Sequence, residues 1–363
     1  LLNPGSTPME NLQFLTFLCA VIKGVDEYAD LLRISAASAA NDHRLGANEA
    51  PPAIISIFMG EELQGVLDAL VSGDTYTSES MTFKIGVDAL PDFPKDSTDR
   101  NRTSPFAFTG NRFEFRMVGS SENIACPNHM LNTIVASELS DIADKMEKVP
   151  ADQFKDELKK LLAEIVREHK RVIFNGDGYS DAWVEEAAKR GLPNYKTTAD
   201  CVPHYADEKN VKLFEKFNIF SKAEIAARVE ILLESYSKTI NIEALTMIDM
   251  AKKKYIPSCL AYSKELADAI AVKKSIDVCT CVEKDLVKKV TDETEKAYDA
   301  VQKLEEVTAV AAAKTCMEEM ANAYRDTVLP VMDELRKAVD ALEVLLPSTM
   351  WPVPAYSEMI FNV

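Results

Sequence analysis

The spacing of hydrophobic residues divides the chain into two regions. In the first, a polar segment rich in Gly, Asn and Pro at 41–52 predicts a loop, and it leads into an apolar run of strand length at 53–59. Two short strand patterns at 106–108 and 111–117, joined by a turn that contains Gly110, predict a β-hairpin. This region is therefore predicted to contain strands as well as helices.

Beyond about residue 150 the hydrophobic spacing is that of helices. Residues 192–210 have little periodicity and are predicted to form a loop or connector. Two long helical patterns at 286–304 and 317–345 predict an antiparallel helical hairpin or bundle, and Pro330 is expected to kink the second of them. The predicted fold class is α+β.

The strand pattern at 111–117 places alternating charges on one face. Successive side chains of a strand point to opposite faces, so Arg112, Glu114 and Arg116 share a face while aromatic residues occupy the other. Neighbours on that face stand about 7 Å apart, which leaves room for an anion and a cation above them. The alternative is a solvated strand face with an in-line ladder of salt bridges, and the strand alone does not decide between the two.

Composition limits the partners. The formal net charge of −17 argues against nucleic acid or an anionic membrane as a binding partner, because both bind positively charged surfaces. An anionic substrate would therefore have to be held by local arginines. The most apolar run, Leu12–Ile22, is too short to span a bilayer. Seven cysteines without a CxxC pair indicate a reduced, cytoplasmic location. Cys279 and Cys281 lie too close in sequence to pair easily and are predicted to have no special role.

Arginines are the main candidates for chemistry. GxGxxG, Walker A, HExxH and GxSxG motifs are absent from the sequence, so the common dinucleotide, P-loop, zincin and serine-hydrolase interpretations lose support. The guanidinium group matches carboxylate and phosphate oxygens, and a nearby carboxylate is a suitable ligand for Mg²⁺ that bridges phosphates. These residue types indicate nucleotide-dependent transfer to a small acidic molecule.

Four motifs follow one another along the chain: Asn-Pro-Gly-Ser-Thr-Pro at 3–8, Asn-Asp-His-Arg-Leu-Gly-Ala-Asn-Glu-Ala-Pro at 41–51, Asn-Arg-Thr at 101–103 and Arg-Phe-Glu-Phe-Arg at 112–116. In this order they resemble the catalytic domain of glutamine synthetase. The residues of these motifs, together with the long helical C-terminal region, are most similar to the large type III class. The resemblance implies that residues 1–150 are the C-terminal part of an antiparallel-sheet catalytic barrel, and that 151–363 are a helical region with an extended tail.

The resemblance also implies an activity. It is the ATP-dependent ligation of ammonia to L-glutamate through a γ-glutamyl phosphate, with Mg²⁺ or Mn²⁺, in a dodecamer of two hexameric rings. Matched to the family's motifs, Arg44 would hold the glutamate substrate, and Glu49 would be a catalytic flap carboxylate that guards the intermediate and helps to deprotonate ammonium. Arg102 would stabilise the transferring phosphoryl group and contact ATP.

The strand receives the remaining roles by the same comparison. Arg112 would bind the phosphates of ATP, Glu114 would be a metal ligand, and Arg116 would contact the acyl phosphate or the substrate carboxylate. One position departs from the family: the bacterial type I pattern has a second arginine where this chain has Ala107. That phosphate contact is expected to be missing or supplied from elsewhere.

Other parts of the family's site are expected upstream of Leu1. These are its paired metal-binding glutamates, its metal-binding histidine and a small β-grasp domain, so the 363-residue chain is predicted to hold about half of a site and to be inactive alone. Two alternatives stay open. One is a catalytically inactive relative that acts as a scaffold or regulatory protein, and the other is a phosphagen-kinase-like enzyme, which also places arginines around ATP.

Overall fold

The structure is a computed structural model that describes residues 1–47, 50–76, 82–83, 93–94 and 103–361. The chain forms two compact units, Leu1–Val229 and Glu230–Val363. These units are defined by packing, whereas the predicted division at about residue 150 concerns the extent of a catalytic domain, and that division remains a prediction.

The first unit is built mainly from helices around a small sheet. Its helices are α1 (Leu12–Glu27), α2 (Ala29–Ile34), α3 (Ala39–Arg44), α4 (Gly60–Ser72), α5 (Ala125–Met146), α6 (Phe154–His169), α7 (Asp181–Lys189), α8 (Thr198–Cys201), α9 (Glu208–Lys216) and the start of α10 (Lys222–Met250), with 3-10 turns at Pro8–Glu10, Lys170–Val172 and Val202–Ala206. Its strands are β1 (Ile57–Phe58), β2 (Thr82–Phe83), β3 (Phe93–Pro94), β4 (Phe106–Phe108) and β5 (Phe113–Phe115).

Helix α1 forms the centre of this unit. Asn11 caps it by accepting a hydrogen bond from the Phe14 backbone N–H at 3.1 Å, and apolar residues along one face are fully buried. The helix packs on α5 and α6. At Gly24 an added Cβ would lie only 2.4 Å from Ile134 Cγ2, so the absence of a side chain lets α1 and α5 approach closely.

The predicted hairpin is confirmed. Strands β4 and β5 pair in antiparallel register, with Ala107 opposite Glu114, and the turn between them contains Gly110 at φ +86°. Strand β1 pairs with the other edge of β4 in parallel, which makes a three-stranded mixed sheet in the order β1-β4-β5. The described strands make up this small sheet and a separate β2-β3 ladder. The larger antiparallel barrel remains a prediction.

Two segments predicted as loops contain helices. Part of 41–52 belongs to α3, because Ser38 Oγ accepts from the Asn41 N–H at 3.2 Å and starts a helical turn there. Part of 192–210 forms α8, a 3-10 turn and α9. At the start of α8, Thr197 and Asp200 make a reciprocal capping box. Both predictions were wrong because capping and tertiary contacts stabilise short helices that lack a long hydrophobic period.

The second unit is an antiparallel helical bundle, as predicted. It contains the rest of α10, followed by α11 (Ile256–Ser275), α12 (Cys281–Ala312), α13 (Met317–Ala323), α14 (Leu329–Leu345) and α15 (Tyr356–Phe361). Lys252 pairs with Glu305 at 2.5 Å, and Lys273 pairs with Glu283 near the opposite end. Lys252 lies just before α11 and pairs near the end of α12, whereas Lys273 lies near the end of α11 and pairs near the start of α12. The two helices therefore run in opposite directions.

Each proline in this bundle's helices follows a π-helical turn. The Ile256 N–H bonds to the Ala251 carbonyl and the Leu329 N–H to the Tyr324 carbonyl, each five residues back, immediately before Pro257 and Pro330. A proline has no N–H and its ring crowds the carbonyl four residues earlier, so the wider turn accommodates it. The irregularity predicted at Pro330 therefore takes the form of a π turn.

In the described part of the chain, no helix combines the length and the apolar character that crossing a bilayer requires. All seven cysteines are free thiols, and Cys19, Cys201 and Cys259 are buried.

Candidate functional site

The charged face of β5 is a continuous ion-paired row. Glu114 Oε1 accepts hydrogen bonds from Arg112 Nη2 at 3.3 Å and from Thr109 Oγ1 at 3.2 Å. Its other oxygen, Oε2, accepts from Arg116 Nη2 at 3.0 Å and Nε at 3.3 Å. The prediction that the three charges share one face is confirmed. The ion pairs expected for a salt-bridge ladder along that face are also present.

The opposite face of the hairpin is aromatic. The Phe106 ring stacks on Phe113 with centroids 5.0 Å apart, and meets Phe115 edge-on at 5.9 Å. These contacts fix the register of β4 and β5, because a slip by one residue would exchange the charged and aromatic faces. Ala107 lies opposite Glu114, so the arginine that the type I pattern has at this position would face the Glu114 carboxylate.

The two arginines that pair with Glu114 differ in how exposed and how tightly held their side chains are. The side chain of Arg112 is 69% exposed, whereas that of Arg116 is 15% exposed and holds Glu114 with two nitrogens. Hydrogen bonding to Arg116, supported by Arg112 and Thr109, holds the pKa of Glu114 below its usual range. Glu114 is therefore an ionised carboxylate at neutral pH, and Arg112 is the cation with room to turn toward an anion.

Arg44 reaches the same strand from α3. Its Nη2 donates to the Arg116 carbonyl at 3.1 Å, and its Nη1 donates to the Met117 carbonyl at 3.2 Å and to Asn41 Oδ1 at 3.2 Å. Asn41 Nδ2 also donates to the Met117 carbonyl, at 2.8 Å. Two motifs about 70 residues apart in sequence thus meet at the end of β5. This brings together Arg44, Arg112, Glu114 and Arg116, four of the six predicted site residues.

A buried ion pair holds α3 in place. Arg33 is completely buried, and its Nη2 contacts Asp42 Oδ1 at 2.7 Å. Arg33 also donates to the carbonyls of Tyr195 at 2.8 Å and Lys196 at 3.2 Å. Asp42 in turn accepts from the Thr198 backbone N–H at 2.6 Å and its hydroxyl at 3.0 Å. The segment before α8 is therefore part of the support of Arg44, a link that no motif in the sequence predicts.

The other two predicted residues, Glu49 and Arg102, lie outside the described residues, but the chain beside each of them meets one turn. At Gly178 an added Cβ would lie 2.0 Å from the Thr103 carbonyl oxygen and 3.5 Å from Pro51 Cβ. The Asn-Gly-Asp-Gly sequence at 175–178 predicts a turn, but it carries no signal that the turn touches these two loops.

Asn175 fixes the position of that turn. Its Oδ1 accepts from the backbone N–H groups of Met59 at 2.9 Å and Gly60 at 3.0 Å, at the start of α4. The neighbouring Phe174 N–H donates to the Ile57 carbonyl at 2.9 Å, which ties the turn to β1. Two backbone N–H groups at the start of α4 are thus satisfied by a side chain from more than 100 residues away.

A cavity of about 600 Å³ lies beside the loop that contains Glu49. Its lining includes Gly46, Ala47 and Pro52, together with Tyr179 and Lys196. Arg44, Arg112, Glu114 and Arg116 are not among its lining residues, so the cavity is separate from the charged face of β5.

The described residues do not by themselves fit a divalent metal site. In the part of the chain that the structure describes, no group of three or more His, Cys, Asp or Glu side chains is placed to hold a metal ion. Both oxygens of Glu114 already accept hydrogen bonds, and two guanidinium groups beside it would repel a dication. No catalytic step is therefore assigned to a metal at Glu114.

Comparison with known proteins agrees with the four motifs. A family profile of the glutamine synthetase C-terminal domain matches residues 157–274. Over 369 residues, the chain is 46% identical to a glutamine synthetase of Butyrivibrio fibrisolvens, a match that covers 100% of this chain and 52% of the relative. The chain belongs to the glutamine synthetase family. The predicted membership is confirmed.

Two further relatives give the same family. A type-3 glutamine synthetase of Dictyostelium discoideum is 42% identical, covering 99% of this chain and 50% of the relative. A glutamine synthetase of Bacteroides fragilis (strain YCH46) is 38% identical, covering 99% of this chain and 51% of the relative. The chain thus spans about half the length of the glutamine synthetases it matches, and the similarity to a type-3 member agrees with the predicted class.

Proposed function

We propose that this protein is an ATP-dependent glutamate–ammonia ligase. The observation that supports the proposal is the meeting of Arg44 with the Arg112–Glu114–Arg116 row at the end of β5. Three guanidinium groups from two sequence motifs provide the planar, bidentate donors that carboxylate and phosphate groups require. Membership of the glutamine synthetase family supplies the reaction class.

The proposed reaction has two steps. An oxygen of the glutamate γ-carboxylate attacks the terminal phosphorus of ATP, the bond to ADP breaks, and γ-glutamyl phosphate forms. Ammonia then attacks the γ-carbonyl carbon, the carbon–oxygen bond to phosphate breaks, and the nitrogen loses a proton. Both steps move negative charge between oxygens, so their main requirement is positioned cationic donors.

Each predicted residue then has a role in these steps. Arg44 and Arg116 hold the glutamate and the acyl phosphate, and the exposed Arg112 turns toward the phosphates of ATP. Arg102 stabilises the transferring phosphoryl group, and Glu49 accepts a proton from ammonium. A metal-binding role for Glu114 remains a prediction, since its other ligands would have to come from outside the described residues.

The remaining expectations concern the whole protein. We propose that residues 1–150 contribute to an antiparallel catalytic barrel, that the protein assembles as a dodecamer of two hexameric rings, and that it acts in the cytoplasm with Mg²⁺ or Mn²⁺. Nucleic acid and membrane remain excluded as proposed partners because of the net charge of −17.

A catalytically inactive scaffold is the second candidate. The observation that favours it is the occupation of both Glu114 oxygens by arginine and threonine donors, which leaves the row as a closed set of ion pairs. Such a row would stabilise the strand without binding a ligand. The prediction that the 363-residue chain alone lacks activity is compatible with both candidates.

Measuring ADP formation in the full-length protein separates these candidates. The ligase proposal expects ADP release that requires both glutamate and ammonium, whereas a scaffold would release none and a phosphagen kinase would require a guanidino substrate instead. Arg116→Lys is expected to lower kcat/KM for glutamate about 100-fold, because lysine cannot replace the two-nitrogen contact.

Arg336→Lys is the matched control. Arg336 also contacts a carboxylate with its Nε, Asp340 at 2.8 Å, but it lies in the second unit and has no proposed role. Activity unchanged in both variants, or ADP release independent of ammonium, would refute the proposal.

A further inference from the structure

Two cysteines of the second unit, Cys279 and Cys281, meet in the structure. Cys279 Sγ and Cys281 Sγ are 2.8 Å apart, and both residues are exposed. They lie in the second unit, where the short connection after α11 enters α12, and Cys281 is the first residue of α12. Both cysteines are free thiols in the structure, so the expectation that they do not pair easily stays a prediction.

Local backbone geometry explains the contact. Asp277 has φ +56°, a conformation that aspartate tolerates better than most residues, and it reverses the chain after α11. Thr280 has φ −122° and ψ 26°, outside the extended region, so the side chains on either side of it do not point in opposite directions as they would in a strand. The sulfur separation is less than about 1 Å longer than a disulfide bond of about 2.05 Å.

The two thiols are chemically unequal. The hydrogen bond from Cys281 lowers the pKa of Cys279, with help from the Cys281 backbone N–H and Lys284, while Glu283 acts in the opposite direction. The same contact raises the pKa of Cys281. Glu283 pairs with Lys273, which partly neutralises the negative charge that opposes the lowering of the Cys279 pKa. Cys279 is therefore the better nucleophile of the pair at neutral pH.

We propose that Cys279 and Cys281 form a redox-active dithiol site that exchanges with low-molecular-weight disulfides. The Cys279 thiolate attacks one sulfur of the external disulfide, the sulfur–sulfur bond breaks, and one thiolate leaves. Cys281 then loses its proton to that thiolate and attacks Cys279 Sγ, which releases the second thiolate and closes an intramolecular disulfide. Two protein thiols are oxidised and one external disulfide is reduced to two thiols.

This site is independent of the proposed ligase function. The second unit contains none of the six candidate ligase residues, which all precede Val229. Oxidation of the two thiols is measured chemically and does not depend on ligase activity. The dithiol proposal and the ligase proposal can therefore be refuted independently of each other.

The test treats the native full chain with oxidised glutathione at neutral pH, quenches with acid and maps the tryptic peptide 275–284, which contains both thiols. The expected result is the loss of two of the seven thiols and a 275–284 peptide that is lighter by two hydrogen atoms. In Cys281→Ser, glutathione is expected to remain attached to Cys279. In Cys279→Ser, glutathione is expected to remain attached to Cys281, because the second thiol needed to close the intramolecular disulfide is missing.

Cys316 provides the internal control, because it is exposed and lies in the same unit. Cys279 is expected to react faster than Cys316 in the same sample. The proposal is overturned if wild-type protein retains both thiols, if it carries stable glutathione adducts without the intramolecular bond, or if Cys279 and Cys316 react at the same rate.

Discussion

Replacing Gly178 with alanine would press directly on the backbone beside Arg102. The added Cβ would lie 2.0 Å from the Thr103 carbonyl oxygen, and an ordinary contact begins at 3.4 Å, so the two segments have to separate by more than 1 Å. Neither segment can yield by a side-chain rotation, because the obstacle is a backbone atom. Overpacking of this kind costs about 2 kcal/mol, which corresponds to a fall in Tm of about 4–8 °C for a unit of this size.

The same displacement is expected to reduce catalysis. A shift of about 1 Å in a positioning element lowers the rate about 100-fold, so kcat/KM for ammonium-dependent ADP formation should fall by that factor. Thermal unfolding and steady-state kinetics of the full-length protein measure the two effects separately. The stability effect does not depend on the proposed function, whereas the kinetic effect does.

Gly119→Ala is the matched control for Gly178→Ala. Its added Cβ would lie 3.4 Å from Glu122 Oε1 and 3.5 Å from Asn41 Oδ1, which are ordinary contacts with side-chain atoms. It is expected to change Tm by less than about 2 °C. If Gly178→Ala were as stable as this control, the close approach of the turn to Thr103 would be refuted.

Two further predictions concern ion pairs of the first unit. Asp42→Ala leaves the fully buried Arg33 without its carboxylate and should cost about 3 kcal/mol in urea unfolding. The exposed Glu208→Ala control should leave the urea midpoint almost unchanged, and equal effects of the two substitutions would contradict the assignment. Glu114→Gln should cost less than about 1 kcal/mol at pH 7, since the carboxylate is partly exposed. Because the folded-state pKa of Glu114 is lowered, this difference is present above the ordinary pKa of about 4.3 and should vanish as the pH falls through the folded-state value. A difference that persisted unchanged in acid would show that charge is not its cause.

Regular hydrophobic periods made much of the fold predictable. The alternation at 111–117 correctly placed Arg112, Glu114 and Arg116 on one face, and the aromatic contacts between β4 and β5 hold that register. The helical period beyond residue 150 correctly gave an antiparallel bundle. Short helices were missed where side-chain caps replace a hydrophobic period, as Ser38 does for α3.

The sequence by itself determined the family, the charged face of β5 and the helical C-terminal region, because each depends on local spacing that survives without the rest of the chain. Only the tertiary structure decided which distant groups meet. Arg44 contacts the end of β5, Gly178 touches the backbone beside Arg102, and the connection between α11 and α12 brings Cys279 against Cys281. The physical reason is that these contacts depend on chain direction and close packing, which hydrophobic periodicity does not encode.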